Sequence, residues 1–137
     1  MHGEIIFVDT GAWVALADKD DKRHAEAVSI FPSLLKTCRE LVTSNLVVAE
    51  SYILILKGLG HNAAVSFLGK INSSPRIVRL CSTSDMETEA EKILRKYQDQ
   101  AFSYTDAVSF EMMKTQKIMK AFSFDKHFQT MGFMKAP

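Results

Sequence analysis

The sequence has few of the residues that mark specialised protein classes. Its 137 residues include only two cysteines, three prolines and six glycines, which excludes a disulfide framework and a collagen-like or low-complexity chain. Cys38 and Cys81 also lack the spacing of a metal site, so we expect two reduced thiols.

Long apolar runs are missing as well. The longest, from Leu46 to Leu56, is interrupted by Glu50 and is shorter than the ~20 residues that span a bilayer. The apolar run at residues 5–8 is too short for a signal peptide. These absences predict a cytoplasmic protein without a membrane segment.

A strong excess of positive charge is absent too. The chain carries 17 basic and 16 acidic residues, for a net charge of +1, so bulk electrostatics does not indicate nucleic-acid binding. Any nucleic acid would have to be held by a local basic patch, by metal ions or by a partner. Apolar residues make up 47% and charged residues 24% of the chain, which is typical of a globular protein and predicts one domain over residues 1–137.

Short β-type runs alternate with helical patterns along the chain, which predicts a parallel α/β sheet with helices on both faces. Ligands in such sheets bind beyond the carboxyl ends of the strands. We predict strands at 5–8, 41–43, 77–80 and 120–124, and helices at 13–17, 24–36, 62–71, 84 to about 98 and 103 to about 116, with a helical turn and an optional edge strand at 128–133. Ser44 or Asn45 caps a further helix, which runs to about Lys57 and is stopped by Gly58 and Gly60.

Two aspartates follow predicted strands. Asp9 comes directly after the first strand, and Asp125 comes directly after the run that ends at Phe124. Both therefore belong to the edge of the sheet where a site is expected. An aspartate in this position also often caps the next helix, and this alternative stays open for each of them.

Two further carboxylates lie on predicted helices. Glu50 has Leu46, Val47, Ile53 and Leu54 as its helical neighbours, so it projects from an apolar face, where an unpaired carboxylate is costly. Its alternatives are a salt bridge or a rim position that reaches water. Asp106 lies three residues after Ser103, the spacing of a capping box, so it could simply serve a helix N-terminus.

Carboxylates that share one site repel each other, and such a cluster persists mainly where a cation occupies it. Hard divalent ions prefer oxygen ligands, which favours Mg²⁺ or Mn²⁺ over Zn²⁺. We expect the dispersed histidines to be surface residues rather than ligands. They are His2, His24, His61 and His127.

Four segments of the sequence resemble the PIN-domain ribonucleases, specifically the VapC-type toxins of toxin–antitoxin pairs. The segments are Phe7–Trp13, Thr43–Glu50, Ser103–Phe110 and Ala121–Phe128, with Gly132 and Phe133 fitting the end of the family pattern. Each segment contains one of the four acids. Their order and spacing make the likeness specific over nearly the whole chain.

The resemblance implies a three-layer α/β/α sandwich with a central, mainly parallel sheet of four to five strands. It also implies Mg²⁺- or Mn²⁺-dependent endoribonuclease activity on RNA, homodimerisation and inhibition by a small antitoxin. Position by position, the catalytic and metal-binding acids are Asp9, Glu50, Asp106 and Asp125, and the supporting hydroxyls are Thr10 and Ser123. Some members carry a further acid near the fourth, whereas Lys126, His127 and Gln129 follow Asp125 here.

Other functions stay open at this point. A housekeeping RNA-processing nuclease, or a non-catalytic PIN-like binding module with a degenerate site, would share the same pattern. Lys19, Lys22 and Arg23 are candidates for phosphate contacts, although a solvated charged face is the simpler interpretation. Trp13 could pack beside the site or at a dimer interface.

Overall fold

A computed structural model describes residues 3–137 of the chain, so His2, expected at the surface, lies outside the described residues. The centre of the fold is a sheet of five parallel strands in the order β3-β2-β1-β4-β5. The strands are β1 (Ile5–Val8), β2 (Glu40–Ser44), β3 (Ile77–Leu80), β4 (Lys120–Phe122) and β5 (Met134–Lys135). The predicted α/β class and parallel sheet are confirmed. An edge strand is present as β5, but it follows the predicted range of 128–133 rather than lying within it.

Seven helices connect these strands in the described part of the chain: α1 (Thr10–Ala17), α2 (His24–Thr37), α3 (Asn45–Leu59), α4 (His61–Ser73), α5 (Ser84–Lys96), α6 (Tyr104–Gln116) and α7 (His127–Thr130). The predicted stop at Gly58 is wrong, because α3 continues through that residue. Gly60 ends α3 with a φ of 95°, a conformation that only glycine adopts without strain.

Hydroxyl side chains fix the starts of three helices. Ser44, not Asn45, caps α3 by accepting a hydrogen bond from the Val47 N–H at 3.0 Å. Thr83 caps α5 by accepting a hydrogen bond from the Met86 N–H at 3.2 Å, and Ser103 caps α6. These caps satisfy N–H groups that have no partner within the helix.

Aromatic side chains anchor helices to both faces of the sheet. Phe7 of β1 packs against Phe128 of α7 with a centroid distance of 6.3 Å. Phe122 of β4 points to the opposite face and stacks on Phe31 of α2 at 6.5 Å. Trp13 lies buried in the core, where its Nε1–H donates to Thr43 Oγ1 at 3.2 Å. The core therefore lies in two layers, one on each side of the sheet.

The order of the strands determines where a site can form. The chain moves outward from β1 to β2 and β3, then crosses back to β4 on the other side of β1. The direction of winding thus changes between β1 and β4, and the carboxyl ends of these two strands flank a crevice. No helix in residues 3–137 is long and apolar enough to cross a membrane.

Candidate active site

Asp9 lies deep in this crevice. It follows β1 directly, and its backbone N–H donates to the Phe122 carbonyl of β4 at 3.1 Å. Asp9 occupies the N-cap position of α1, but its side chain makes no capping hydrogen bond. The capping alternative therefore fails for this residue, and the carboxylate is available to the crevice although only 5% of the residue is exposed.

Ser123 links two of the predicted acids. Its hydroxyl donates to Asp9 Oδ2 at 3.0 Å, and its oxygen accepts the Asp125 N–H, also at 3.0 Å. Because β4 ends at Phe122, Asp125 comes three residues after the strand rather than directly after it, which corrects the prediction. The turn that results brings Asp125 back toward Asp9.

Asp106 combines the two roles that the sequence leaves open. Its Oδ2 accepts the Ser103 N–H and its own N–H donates to Ser103 Oγ, both at 3.0 Å, which completes a capping box at the start of α6. The same carboxylate lines the crevice beside Asp125. The capping box therefore holds Asp106 in a fixed orientation without removing it from the cluster.

Glu50 lies on the rim of the crevice. It is half-exposed, and its neighbours Ile53 and Leu54 are 47% and 48% exposed. The expectation of a buried face holds for Val47 and fails for Ile53 and Leu54, so Glu50 occupies the rim position that the sequence left open. In the part of the chain that the structure describes, the Glu50 side chain has no hydrogen bond or salt bridge to protein.

All four predicted acids line one open cleft of about 480 Å³. Asp21, from the charged turn between α1 and α2, is a fifth carboxylate on its wall. Sequence reasoning missed Asp21 because nothing separates it from Asp18 and Asp20 in the same turn. The remaining lining residues are Thr10, Gly11, Val14, Leu54, Ser103 and Phe124.

The crowding of carboxylates has an electrostatic consequence. Burial, followed by repulsion from Asp106, raises the pKa of Asp9 to about 7, although the hydrogen bond from Ser123 opposes the rise. Burial also raises the pKa of Asp106, and Asp125 adds to this effect by repulsion. Ionised carboxylates held this close need a cation to offset their charge.

His127 is a member of the cluster that the sequence did not reveal. Its Nδ1 lies 3.2 Å from Asp125 Oδ1 and 3.5 Å from Asp106 Oδ2, without the geometry of a hydrogen bond to either. Possible ligand atoms of Asp106, Asp125 and His127 lie within 4.8 Å of one another. The expectation of a surface histidine is therefore wrong here, and its separation from Asp125 by one residue was the only signal.

The residues fit a divalent cation. Thr10 Oγ1 and His127 Nδ1 are buried without a hydrogen-bond partner among the described residues, and both border the acids. Buried polar atoms normally have partners, and Thr10 lines the cleft, so its hydroxyl indicates a ligand or ordered water there. The donors are mainly carboxylate oxygens, as Mg²⁺ and Mn²⁺ prefer, with one imidazole that departs from the expected all-oxygen set.

Comparison with known proteins agrees with this geometry. The family model described as PIN domain matches residues 6–134. The 23S rRNA-specific endonuclease VapC20 of Mycobacterium tuberculosis is 33% identical over 96% of this chain and 97% of its own length. The ribonuclease VapC26 of the same organism is 26% identical over 92% of this chain and 91% of its own.

Solved structures show the same fold. The crystal structure of Mycobacterium tuberculosis VapC20, a sarcin-ricin loop cleaving toxin, superposes with a TM-score of 0.87 at 33% identity over 94% of this chain and 96% of that one. VapBC2 from Rickettsia felis, bound to a DNA fragment from its promoter, gives a TM-score of 0.72 at 13% identity over 96% of both chains. At that identity the likeness concerns the fold alone.

Proposed function

Because the chain belongs to the PIN domain family, we propose that it is a divalent-metal-dependent endoribonuclease and the toxin of a toxin–antitoxin pair. One observation carries the proposal most strongly: five carboxylates from separate elements converge on a single cleft at the switch point of a parallel sheet. A fold does not by itself determine a function. The function is therefore inferred from the acids that line the cleft, which can bind a divalent metal ion.

Asp9, Glu50, Asp106 and Asp125 are the proposed metal ligands and catalytic residues. Mg²⁺ or Mn²⁺ bound there would supply Lewis acidity, which lowers the pKa of a water molecule and offsets the charge of the phosphodiester. The Ser123 hydroxyl orients Asp9 by donating a hydrogen bond to its carboxylate, and orients Asp125 by accepting a hydrogen bond from its backbone N–H. Thr10 contributes a buried hydroxyl that has no partner among the described residues.

The different depths of these residues in the cleft suit hydrolysis of an RNA strand that enters from solvent. Asp9 and Asp106 are 5% and 8% exposed, so they form the floor, whereas Glu50 stands at the rim. A phosphodiester would approach the floor from the open side and be held in line for attack by water. RNA with unpaired nucleotides fits this requirement best, because its backbone can enter a small cleft.

The relatives provide the first substrate to test. VapC20 is named for 23S rRNA and for the sarcin-ricin loop, and we propose that this chain also cleaves a structured loop of ribosomal RNA. We further propose a small antitoxin as partner and a homodimer as the assembly. Exposed apolar side chains on α3 and α4 support a protein partner: Ile53, Leu54, Leu56, Leu59 and Val65.

The test incubates the purified protein with intact ribosomes and with total RNA, in Mg²⁺, Mn²⁺ or chelator. Asp9→Asn is compared with Asp20→Asn, which changes an exposed carboxylate outside the cleft. We expect metal-dependent cleavage by the wild type and by Asp20→Asn, and none by Asp9→Asn. Cleavage that persists in chelator would contradict the proposal.

The same samples test the non-catalytic alternative. A binding module with a degenerate site would bind Mg²⁺ or RNA, as measured by calorimetry and fluorescence anisotropy, but would cut neither ribosomes nor total RNA. A housekeeping nuclease would cut RNA without arresting growth when the chain is produced alone in cells. Growth arrest that Asp9→Asn relieves is the result expected of a toxin.

A further inference from the structure

A second, smaller pocket of about 170 Å³ adjoins the acidic cleft. Phe124 and Asp125 line both cavities and form the wall between them. Ser123, which fixes Asp9 and Asp125, also lines the small pocket. The pocket therefore lies beside the site of the proposed reaction, beyond the carboxyl end of β4.

Three cationic side chains line this basic pocket, each from a different part of the chain. Arg23 precedes α2, Lys126 precedes α7 and Lys135 ends β5. The Arg23 guanidinium lies 5.5 Å and the Lys135 ammonium 5.8 Å from the centroid of the Phe124 ring. Cation–π contact with one ring holds both charges at the dividing wall.

Nearby carboxylates only partly neutralise these cations. Glu26 pairs with Arg23 at 3.4 Å and with Lys135 at 3.9 Å, so one negative charge serves two positive ones. Lys126 forms no ion pair in the described part of the chain. Asp125 also lines the pocket, so three cations face two carboxylates, Glu26 and Asp125, and one net positive charge remains.

A single turn fixes the distance between the acidic and the basic cavity. Asp21 lines the cleft and Arg23 lines the basic pocket, and the Arg23 N–H donates to Asp21 Oδ1 at 2.8 Å. This hydrogen bond fixes the backbone conformation between Asp21 and Arg23. The sequence suggested Arg23, Lys19 and Lys22 together as phosphate contacts, but only Arg23 of these three lines either cavity.

We propose that the basic pocket binds a phosphate of the RNA strand that neighbours the scissile phosphodiester. This inference rests on the proposed ribonuclease function and adds a substrate-positioning subsite to it. Arginine and lysine bind phosphate through charge-assisted hydrogen bonds. Anchoring the strand at a second phosphate holds it across the acidic cleft equally well in the ground state and in the transition state, so losing the anchor should raise KM and leave kcat nearly unchanged.

RNA fits the two cavities better than an isolated anion or an acidic peptide. Its phosphates recur along one backbone, so neighbouring phosphates can occupy neighbouring cavities. The carboxylates would hold a metal ion that supplies positive charge for the first phosphate, and the cations would bind the second directly. Contacts of this kind position the strand without reading its sequence. They also make affinity depend on salt, since each neutralised phosphate releases counterions.

The test compares Arg23→Gln/Lys126→Gln with Lys36→Gln/Lys57→Gln, which removes the same charge from exposed sites on α2 and α3. The substrate is an RNA oligonucleotide spanning the bond that the wild type cleaves. We expect KM to rise about tenfold in the pocket variant with kcat changed less than twofold, and neither to change in the control. In an Asp9→Asn background, the slope of log affinity against log salt should fall by about 0.7 for each phosphate that the variant no longer neutralises.

A chemical substitution in the RNA locates the phosphate that the pocket binds. Replacing one phosphate beside the cleavage site with a neutral methylphosphonate should weaken binding to the wild type at one position. The same replacement should have no further effect on the pocket variant, because that variant no longer binds this phosphate. Equal decreases in affinity for the wild type and the variant at every position would overturn the proposal.

The outcomes separate this proposal from the one on which it rests. If the wild type neither binds nor cleaves RNA, both proposals fail. If it cleaves RNA and the pocket variant matches the control, only the phosphate subsite fails. Should the double variant unfold, Lys135→Gln alone must raise KM about threefold for the subsite to stand, since its side chain is half-exposed and its removal leaves the fold intact.

Discussion

The floor and the rim of the acidic cleft are built differently. On the floor, Asp9 and Asp106 are almost fully buried, and each accepts a hydrogen bond from a serine. On the rim, Glu50 is half-exposed and makes no hydrogen bond to protein in residues 3–137. Asp21, also on the rim, accepts the Arg23 N–H at 2.8 Å. Carboxylates of the same kind thus face the same cleft under very different constraints.

This difference indicates how the site divides its work. A buried carboxylate with a raised pKa is unfavourable when ionised, so the floor stores electrostatic repulsion that a cation relieves. A carboxylate in water carries little of this repulsion and can be replaced by a water ligand, which Mg²⁺ accepts readily. We therefore expect the floor to control metal binding and fold stability together, and the rim to adjust activity alone.

The largest effect should come from a comparison of floor and rim in RNA cleavage. Asp106→Asn should lower kcat/KM at least ~1000-fold, because removing a proposed metal ligand would forfeit several kcal/mol of transition-state stabilisation. Glu50→Gln should lower it only about 10- to 100-fold, since water can take its place. Cleavage assays at saturating Mg²⁺ measure both. Equal decreases in the two variants would remove the distinction between floor and rim.

The next effect concerns the stability of the metal-free protein. Asp9 keeps its proton up to about pH 7 in the folded state, whereas an aspartate in an unfolded chain ionises near pH 4. Between these values the folded state binds more protons, so the free energy of unfolding falls as pH rises from about 4 to about 7. Asp9→Asn removes this decrease and should be more stable than the wild type by up to about 4 kcal/mol at pH 8.

Urea unfolding in chelator at pH 4 and pH 8 tests this expectation. The two proteins should be of similar stability at pH 4, where Asp9 is protonated in the folded wild type and in much of the unfolded wild type. Asp20→Asn serves as the control, because its exposed side chain should leave the pH dependence unchanged. If the difference in unfolding free energy between the wild type and Asp9→Asn is the same at pH 4 and pH 8, the assigned burial of Asp9 is contradicted.

Ser123→Ala should weaken metal binding, with a smaller effect than the changes at Asp106 and Asp9. The change removes the hydrogen bond to Asp9 and the acceptor for the Asp125 N–H. Residues that orient metal ligands typically contribute 10- to 100-fold to affinity, and calorimetry with Mn²⁺ should show a decrease in that range. Ser84→Ala, an exposed serine of α5, is the matched control, and an unchanged Mn²⁺ affinity in Ser123→Ala would exclude the positioning role.

The sequence predicts those parts of the site that depend on local chain geometry. Asp9 follows an apolar strand, and Asp106 stands at capping-box distance from Ser103, so the pattern alone places both near the sheet edge. The bounds of the four predicted strands lie within two residues of the observed ones for the same reason. Local hydrogen bonding and burial on both faces leave few alternatives for these segments.

Tertiary placement determines the rest, and no local pattern encodes it. The apolar neighbours of Glu50 predict a buried helical face, yet Ile53 and Leu54 are exposed. Asp21 lines the cleft, and His127 contacts Asp125, only because the charged turn and the segment after β4 lie close to the sheet edge. The basic pocket likewise joins residues 23, 126 and 135, whose proximity follows from the position of β5 in the sheet.

Thr10 provides the smallest and most specific test of the floor. Its buried hydroxyl has no hydrogen-bond partner among the described residues, so Thr10→Val should change the unfolding free energy of the metal-free protein by less than about 0.5 kcal/mol or increase it slightly. If the hydroxyl instead serves a bound ion or its water, the rise in Tm that saturating Mg²⁺ produces should be smaller in Thr10→Val than in the wild type. Thr10→Ser keeps the hydroxyl and should retain the full rise. The opposite result would be a metal-free Thr10→Val that is less stable by more than about 1 kcal/mol and that gains the same Tm from Mg²⁺ as the wild type. Thr10 would then contribute to core packing and not to the metal site.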